Sequence, residues 1–363
     1  MPIGWLRARP VGGYRVAVRR STRTAKRVTL REVAEEAGVS VGMASRVLSN
    51  YGSFSAKTQS AVMAAAEQLD YRPNALARSL RVGRTKAIGV VVSNIVSYHW
   101  TTFIRGIEAA AQERGYQVLL GTTADDPAVE RRYLKALQER NVDGIVLSPA
   151  PENEGFVAKL IEDGVRMVLV ECANPELKAP RINIDDRPAA QRATEYLLAL
   201  GHRRIGIVAG NQALSSGRRR LAGYRDALNA AGLGPDDAMV GLGEYRYEPA
   251  YRAVESLMAL PDPPTALLVC NELMTGAALQ CLKDRGVDVP GSVSVVAFDD
   301  PAWTSFMRPG ITTVRTPRVE MARLALHTML AMLSDPSGPA AAPTESIVTT
   351  EFVVRESCHS VRQ

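Results

Sequence analysis

The chain has 363 residues, of which 46% are hydrophobic and 23% charged, and its formal net charge is +6. This length supports two or three domains with a sizeable buried core, and no apolar stretch approaches the roughly 18 residues of a membrane span. The four cysteines lie far apart, without a CxxC or Cys/His cluster, which argues against a metal site or a disulfide framework and suits a reducing compartment.

The charge is distributed unevenly along the chain. Residues 1–84 contain 15 Lys and Arg against 5 Asp and Glu, whereas residues 85–363 contain 29 against 33. Lys and Arg that approach phosphates release counterions and supply sequence-independent affinity for nucleic acid. Residues 1–27 lack the apolar core of a secretory signal; we expect either a basic, disordered arm or a misassigned start.

The segment that begins at Thr29, TLREVAEEAGVSVGMASRVLSN, has the pattern of two short helices joined by a tight turn. Apolar residues recur at i, i+3, i+4 and i+7 from Leu30, and Thr29 with Glu32 predicts a capping box. Gly38 suits the left-handed residue that ends the first helix, and Ser40 caps the second. Such a pair fits a major groove when its second helix lies along the groove.

The next segment predicts a third helix and then a short one that needs a partner. Ser55 caps the third helix, Pro73 breaks the chain, and Asn74 caps a helix over residues 75–80. About six residues do not hold a helix alone in water. An apolar wedge at Leu80, flanked by arginines, suits insertion between the base steps of a DNA minor groove.

After residue 84 the pattern changes to alternating strands and helices. Continuous apolar strands between helical segments predict parallel sheets covered on both faces. Two such series in tandem predict two doubly wound lobes, with a ligand cleft at the carboxyl ends of their strands. The predicted strands are Ala87–Val92, Gln117–Gly121, Gly144–Leu147, Arg166–Val170, Arg204–Ala209, Ala266–Val269, Ser294–Phe298 and a final strand Ile347–Val354, which we assign to the second lobe.

The strings VTLREVAEEAGVS, SRVLSN, YRPNALARSLRVGRT and VSVVAFDD resemble those of the LacI/GalR-type family of bacterial transcriptional regulators. The resemblance extends over residues 28 to 356. It implies an N-terminal all-α helix-turn-helix domain and an α/β, two-lobed effector domain of periplasmic-binding-protein architecture, with the chain crossing between lobes three times. The boundaries expected are 1–27 for the arm, 28–72 for the helix-turn-helix domain, 73–86 for the hinge helix and linker, 87–186 with 315–344 for lobe 1, and 187–314 with 345–356 for lobe 2.

The DNA-contacting residues follow from the second helix and the hinge. Gly42 and Met43 stand where relatives commonly carry polar residues, so an operator sequence does not transfer from them. Arg46 suits a guanine edge or a phosphate, and Met43 a thymine methyl. The expected DNA-binding set is Thr29, Ser40, Val41, Gly42, Met43, Ser45, Arg46, Asn50, Asn74, Ala77, Arg78 and Leu80.

The effector-binding residues are expected where strands end. The resemblance implies that Arg220, Asn271 and Asp299 hydrogen-bond the effector, which suits their donors and acceptors, and that Tyr245 stacks on it. In three places the sequence departs from relatives: Asn94 replaces Asp, Ser97-Tyr98-His99-Trp100 replaces Asn-Pro-Phe-Phe, and Glu272 replaces Asp. The expected set is Asn94, Tyr98, Trp100, Ser148, Arg220, Tyr245, Asn271 and Asp299.

Together these observations predict a cytoplasmic, dimeric, allosteric DNA-binding repressor, associated with the nucleoid when bound and controlled by a small molecule. The effector is expected to be a sugar or sugar derivative, and a nucleobase is the alternative. A transport-type sugar-binding protein would share the lobes but not the basic first 84 residues. No HExxH, Walker A or GxGxxG string occurs, so we expect no enzyme, catalytic residue, cofactor, metal or membrane partner.

Overall fold

A computed structural model describes residues 28–49, 51–71, 84–335, 342 and 344–361. The chain forms two compact units, Met1–Val82 and Gly83–Gln363. The predicted arm at 1–27 and most of the predicted hinge at 73–86 lie outside the described residues. The same holds for five of the predicted DNA-binding residues: Asn50, Asn74, Ala77, Arg78 and Leu80.

The described part of the first unit consists of three helices, α1 (Leu30–Glu36), α2 (Val41–Leu48) and α3 (Ala56–Gln68). The predicted capping box is present: the Thr29 amide donates to Glu32 Oε2 at 2.7 Å, and the Glu32 amide donates to Thr29 Oγ1 at 3.4 Å. The Ser40 and Ser55 side chains cap α2 and α3, each accepting one backbone amide of the first helical turn. Gly38 has φ +64°, the left-handed conformation expected at the turn.

A small apolar core holds these three helices together. Its fully buried members are short side chains, which let the helices approach closely. They are Val33, Ala34, Ala44, Val47, Val62, Ala65 and Ala66. Because little apolar area is buried, each of these residues carries an appreciable share of the stability of this unit.

The second unit contains two six-stranded sheets. The first has the order β11-β5-β4-β3-β1-β2, and each strand runs parallel to its neighbours. Its strands are β1 (Ala87–Val92), β2 (Gln117–Thr122), β3 (Gly144–Leu147), β4 (Met167–Val170), β5 (Arg181–Ile184) and β11 (Glu345–Val348). Its helices are α4 (Tyr98–Glu113), α5 (Pro127–Glu139), α6 (Glu154–Glu162) and α12 (Arg318–Ser334).

The second sheet has the order β12-β10-β9-β8-β6-β7, parallel except for β12, which runs antiparallel to β10. Its strands are β6 (Ile205–Ala209), β7 (Val240–Leu242), β8 (Ala266–Val269), β9 (Ser294–Phe298), β10 (Thr312–Arg315) and β12 (Glu351–Val353). Its helices are α7 (Asp186–Ala199), α8 (Ser215–Ala230), α9 (Tyr247–Met258), α10 (Glu272–Asp284) and α11 (Trp303–Phe306). Both sheets have apolar cores on their faces, so the predicted two-lobed α/β fold is confirmed.

The final predicted strand, Ile347–Val354 in the second lobe, was wrong. The structure has two strands there: β11 pairs with β5 of the first sheet, and β12 pairs with β10 of the second. The Thr350 amide between them donates to Asp185 Oδ1 at 2.8 Å, where the chain passes from one sheet to the other. The continuous β-forming sequence gives no period change at this break. Strands β5, β7 and β10 were not predicted either.

The chain therefore passes between the two lobes three times: from β5 to β6, from β10 to α12, and from β11 to β12. Helix α12 returns to the first lobe and packs along α4. This connectivity brings the carboxyl ends of strands from both sheets to the same cleft. Within the described part of the chain, no helix is both long and apolar enough to span a bilayer.

Candidate functional site

One face of the first unit presents the start of α2 to solvent. Val41 is 42% exposed, and Gly42 and Arg46 are exposed as well, while Met43 is half-buried. Two predicted DNA-binding residues, Thr29 and Ser40, are exposed as helix caps. These side chains are available to a nucleic acid that approaches α2.

Ser45 does not lie on that face. It is only 8% exposed and is buried between Ala44 and Val47, two residues of the small apolar core. Val41, one helical turn earlier on the same side of α2, is exposed, so the helical period alone does not account for the burial of Ser45. The Ser49 hydroxyl donates to the Ser45 carbonyl. Among the described residues of the predicted contact set, Ser45 is the one that the structure buries.

A cleft of about 510 Å³ opens between the two lobes of the second unit. It is lined by residues that follow β1, β3, β4, β6, β7 and β8, as expected for parallel sheets whose carboxyl ends face each other. Six of the eight predicted effector-binding residues line it: Asn94, Trp100, Ser148, Arg220, Tyr245 and Asn271.

Arg220 on α8 is a fixed cation at the base of the cleft. Its Nε donates to Asp186 Oδ1 at 2.7 Å, and its Nη1 donates to the carbonyl of Cys270. The guanidinium also lies 4.1 Å from the centroid of the Phe298 ring. Burial disfavours the charged guanidinium, but Asp186 and other acceptors raise the pKa of Arg220 well above its ordinary value. These contacts determine the position of Arg220, including its remaining guanidinium nitrogen, before a ligand binds.

Asn271 and Tyr245 supply neutral polar groups. Asn271 caps α10, its Oδ1 accepting from the Met274 amide at 2.8 Å, which leaves its amide nitrogen for the cleft. The Tyr245 hydroxyl lies 3.1 Å from Ser216 Oγ, and burial raises the pKa of this phenol, so it stays protonated. A Cβ at Gly210 would lie 2.0 Å from the Tyr245 ring, so only glycine leaves room for the ring there.

On the first-lobe wall, Glu171 forms an ionised acceptor that the sequence analysis missed. Its Oε1 accepts a hydrogen bond from Arg318 Nη1 at 2.6 Å and lies 3.0 Å from His99 Nε2. Burial alone would raise the pKa of Glu171, but His99 and Arg318 hold it well below its usual range. Glu171 directly follows β4, so the strand-end rule that selected other residues could have found it. Arg318 lies 147 residues away, and no local pattern marks that pairing.

Trp100 gives this wall its aromatic face. The ring is buried against Phe103, with centroids 5.7 Å apart, and against His99 at 4.6 Å, both edge to face. It also lines the cleft, so part of it is available to a ligand. Further charged residues of the cleft that the sequence analysis did not single out are Asp125, Glu152, Glu154, Arg218, Glu244 and Arg246.

Two predicted effector contacts do not line the cleft. Asp299 is 1% exposed; its Oδ1 accepts from Thr316 Oγ1 at 2.8 Å and lies 3.8 Å from Arg318 Nη2. Asp299 follows β9 and lies behind the cleft wall, where Thr316 and Arg318 contact its carboxylate. Tyr98 is the first residue of α4, and its backbone amide donates to Glu272 Oε1 at 2.7 Å while its side chain remains partly exposed. Tyr98 therefore contributes to this region through its backbone amide and not through its ring.

A helix-turn-helix unit followed by a two-lobed unit with a polar and aromatic cleft defines a ligand-responsive, DNA-binding transcriptional regulator. The comparisons agree: residues 29–74 match the model for bacterial regulatory proteins of the lacI family, and residues 194–358 match a periplasmic binding protein-like domain. The chain belongs to the LacI family.

Individual relatives cover nearly the whole chain. The HTH-type transcriptional repressor CytR of Escherichia coli (strain K12) is 32% identical over 337 residues, 92% of this chain and 97% of CytR. The solved complex of the transcriptional regulator CelR with cellobiose is 31% identical, with a TM-score of 0.68 over 91% of this chain and all of CelR. A lac repressor dimer bound to operator shares the fold, with 24% identity and a TM-score of 0.83 over 92% of this chain and all of that chain.

Proposed function

We propose that this protein is a dimeric repressor whose affinity for an operator is controlled by a sugar or sugar derivative bound in the cleft. The observation that carries the effector class is the combination of Trp100 and Tyr245 with Arg220, Glu171 and Asn271 in one cleft. The similarity to CelR, which was solved with cellobiose, supports the same class. The proposed setting is the bacterial cytoplasm, with the protein on the nucleoid when it holds DNA.

A sugar matches this cleft for physical reasons. Its C–H faces pack on aromatic rings such as Trp100, while its hydroxyls both donate and accept hydrogen bonds. Glu171 supplies an ionised acceptor, Arg220 supplies donors, and Asn271 supplies an amide. The volume of about 510 Å³ falls within the range of about 300–1,000 Å³ typical of small-molecule sites.

The DNA-binding role rests on the face that begins at α2. Arg46 is exposed there next to Val41 and Gly42, and residues 1–84 carry a net positive charge. We propose that Thr29, Ser40, Met43 and Arg46 contact the major groove or its phosphates. Asn50 is proposed to contact it too, and Asn74, Ala77, Arg78 and Leu80 are proposed to enter the minor groove.

Two copies are proposed to read the two halves of a pseudo-palindromic operator, in line with the lac repressor dimer on its operator. A ligand that favours one arrangement of the lobes then changes the arrangement of the two DNA-binding units. A differential binding free energy of about 1–3 kcal/mol changes operator affinity about 5- to 150-fold.

The experiment that tests the DNA-binding role selects bound fragments from the source genome and titrates the best fragment at several salt concentrations. Arg46→Ala is expected to weaken specific binding about 5- to 150-fold, because a bidentate Arg contact contributes about 1–3 kcal/mol. Arg140→Ala, at an exposed site of the second unit, is the matched control and is expected to bind like the unmodified protein. Equal binding by both variants would contradict the α2 assignment.

The experiment for the effector measures thermal stabilisation by a panel of mono- and disaccharides and nucleosides. A sugar is expected to raise the unfolding temperature of the second unit and to be recovered chemically unchanged. Asn271→Ser keeps a hydroxyl that can cap α10 but lacks the amide nitrogen, so it is expected to weaken that sugar specifically. Stabilisation by a nucleoside and by no sugar would overturn the sugar assignment.

A further inference from the structure

Glu171 is held in one orientation through its backbone. It directly follows β4 and has φ +54°, a left-handed conformation that is unfavourable for a residue with a Cβ and persists where surrounding contacts impose it. Its amide donates to the Ile182 carbonyl at 3.1 Å, and its carbonyl accepts the Ser215 hydroxyl at 2.7 Å. These contacts determine the direction in which the Glu171 side chain leaves the main chain.

The two carboxylate oxygens of Glu171 differ in their surroundings. Oε1 accepts a hydrogen bond from Arg318 Nη1 at 2.6 Å and lies 3.0 Å from His99 Nε2. Oε2 accepts no hydrogen bond from any residue that the structure describes, and Glu171 lines the cleft. The first oxygen is therefore engaged by the protein, and the second is available to a ligand in the cleft.

Arg318 lies behind the cleft wall at the start of α12. Its side chain is 1% exposed, and Arg318 is not among the described residues that line the cleft. An arginine side chain stays protonated in proteins, whereas an imidazole gains and loses its proton near neutral pH. Of the two groups next to Glu171 Oε1, Arg318 is therefore the one that supplies a positive charge independent of pH.

A chain of hydrogen bonds connects Arg318 with the end of β9. Its Nε donates to Thr316 Oγ1 at 3.1 Å, and the Thr316 hydroxyl donates to Asp299 Oδ1 at 2.8 Å. Arg318 Nη2 lies 3.8 Å from the same Asp299 oxygen. The chain of contacts thus begins at Asp299 and ends at Glu171 on the cleft wall.

These contacts give Asp299 an indirect route to a ligand. The sequence analysis assigned Asp299 to the effector, but the residue is 1% exposed and does not line the cleft. Together with Thr316 it orients the Arg318 guanidinium instead. The guanidinium in turn orients a carboxylate that does line the cleft.

We propose that Arg318 is the positioning residue of the effector site. It holds Glu171 Oε1, which directs Oε2 into the cleft as a fixed acceptor for a hydroxyl of the effector, and Asp299 acts on the effector only through Arg318. The proposal rests on the proposed function and names the group that orients its acceptor. Because a carboxylate accepts hydrogen bonds and does not donate them, the effector must present a donor to this wall.

The first experiment is a double-mutant cycle on binding of the mono- or disaccharide that most stabilises the second unit. Glu171→Gln keeps the size of the side chain but removes its charge, and it is expected to weaken this sugar about 10- to 150-fold, the range for a hydrogen bond to a charged group. Arg318→Met is expected to cause a similar loss, because it removes the cation and its donors from Oε1. The double variant is expected to lose less than about twofold beyond the larger single effect, since both changes remove the same acceptor.

Two other variants separate positioning from a structural role. Arg318→Lys keeps a cation but has fewer donors, so it is expected to retain more sugar affinity than Arg318→Met. Arg323→Met, at an exposed position of the same helix, is the matched control and is expected to bind the sugar like the unmodified protein. If Arg318→Met does not fold, Arg318→Lys takes its place in the cycle, with the same lack of additivity expected.

The second experiment needs no ligand and follows the chemical shift of the Glu171 carboxyl carbon from pH 3 to pH 8, with Glu171→Gln identifying the signal. Burial raises the pKa of Glu171. His99 and Arg318 lower it, with Arg220 acting in the same direction, so that it lies well below its usual range. The unmodified protein is expected to show the ionised carboxylate throughout. In Arg318→Met less positive charge opposes burial, so the carboxyl is expected to take up a proton within this range.

Three results would overturn the proposal. One is additive losses of sugar affinity in the cycle, and another is a sugar affinity of Arg318→Met equal to that of Arg323→Met. The third is a Glu171 signal that does not titrate in Arg318→Met. If no sugar binds the unmodified protein, the proposed function fails and the effector contact of Glu171 fails with it, while the carbon signal still decides whether Arg318 controls the charge of Glu171.

Discussion

The two units of this protein place their charges in opposite ways. Apart from Ser45, the buried residues that the structure describes in the first unit are small and apolar, and charged side chains such as Arg46 are on the surface. In the second unit, charged pairs such as Arg220–Asp186 and Arg318–Glu171 are buried at the cleft. A positive surface charge suits binding to a polyanion, because it releases the counterions that the polyanion carries. A buried, paired charge is already desolvated and oriented for a small ligand.

This comparison predicts its largest effect at Arg220. Arg220→Met leaves Asp186 buried without its partner, so the second unit is expected to lose about 3–5 kcal/mol of unfolding free energy. Arg187→Met is the matched control: its Arg–Asp226 pair is exposed, and we expect little change. Urea unfolding of both variants is the measurement, and equal losses would remove the distinction between buried and surface charge.

A smaller effect is expected at Asp300, which accepts from Arg355 Nη1 at 2.8 Å and Arg315 Nε at 2.9 Å. Burial opposes its ionisation, but these arginines and two threonines hold the pKa of Asp300 well below its usual range. Asp300→Asn is therefore expected to cost about 2–3 kcal/mol at pH 7. The cost is present above the unfolded pKa of about 3.9 and shrinks as the pH falls below it.

Unfolding of Asp300→Asn and the unmodified protein is measured between pH 2 and pH 7. The difference should narrow toward the acid end. A difference that stays constant over this range would mean that the substitution acts through packing and that the charge of Asp300 makes no contribution.

In the first unit, the interior should respond to lost volume. Val62→Ala removes two methyl groups from a fully buried position, and we expect about 1–2 kcal/mol of destabilisation confined to that unit. Val41→Ala removes the same atoms from a 42% exposed site and should change stability little. Site-resolved hydrogen exchange over α1 to α3 measures both, and a larger loss in Val41→Ala would contradict the assigned core.

The smallest effect is expected at the N-terminus of α1. Thr29→Ala removes the hydroxyl that accepts the Glu32 amide, which is expected to cost about 1 kcal/mol. Ser53→Ala, an exposed position outside the three helices, serves as control. Circular dichroism during thermal unfolding distinguishes them, and an unchanged midpoint in Thr29→Ala would show that the capping box contributes little.

The first unit was largely predictable because its signals are local. Thr29, Ser40 and Ser55 lie within a few residues of the groups they cap, so the sequence alone located the helices. The burial of Ser45 was not predictable in this way, because Val41, one turn earlier on the same side of α2, is exposed.

The second unit was predictable in its strands but less so in its cleft. Strands β1, β3, β8 and β9 are continuous apolar runs, and the sequence located them residue by residue. Residues that pair across long separations were missed: Arg318 meets Glu171 over 147 positions, and Glu272 meets Tyr98 over 174. Asp299 was assigned to the ligand because a strand-end position does not show on which side of the cleft wall a carboxyl lies.

The most direct test of the central claim is an operator titration with and without the sugar that stabilises the second unit, in the unmodified protein and in Asn271→Ser. We predict that the sugar changes operator affinity about 5- to 150-fold in the unmodified protein. Asn271→Ser should bind the operator equally well but need a higher sugar concentration for the same change. A response to sugar that is identical in both proteins, or operator affinity that no cleft ligand alters, would contradict the claim that the cleft controls DNA binding.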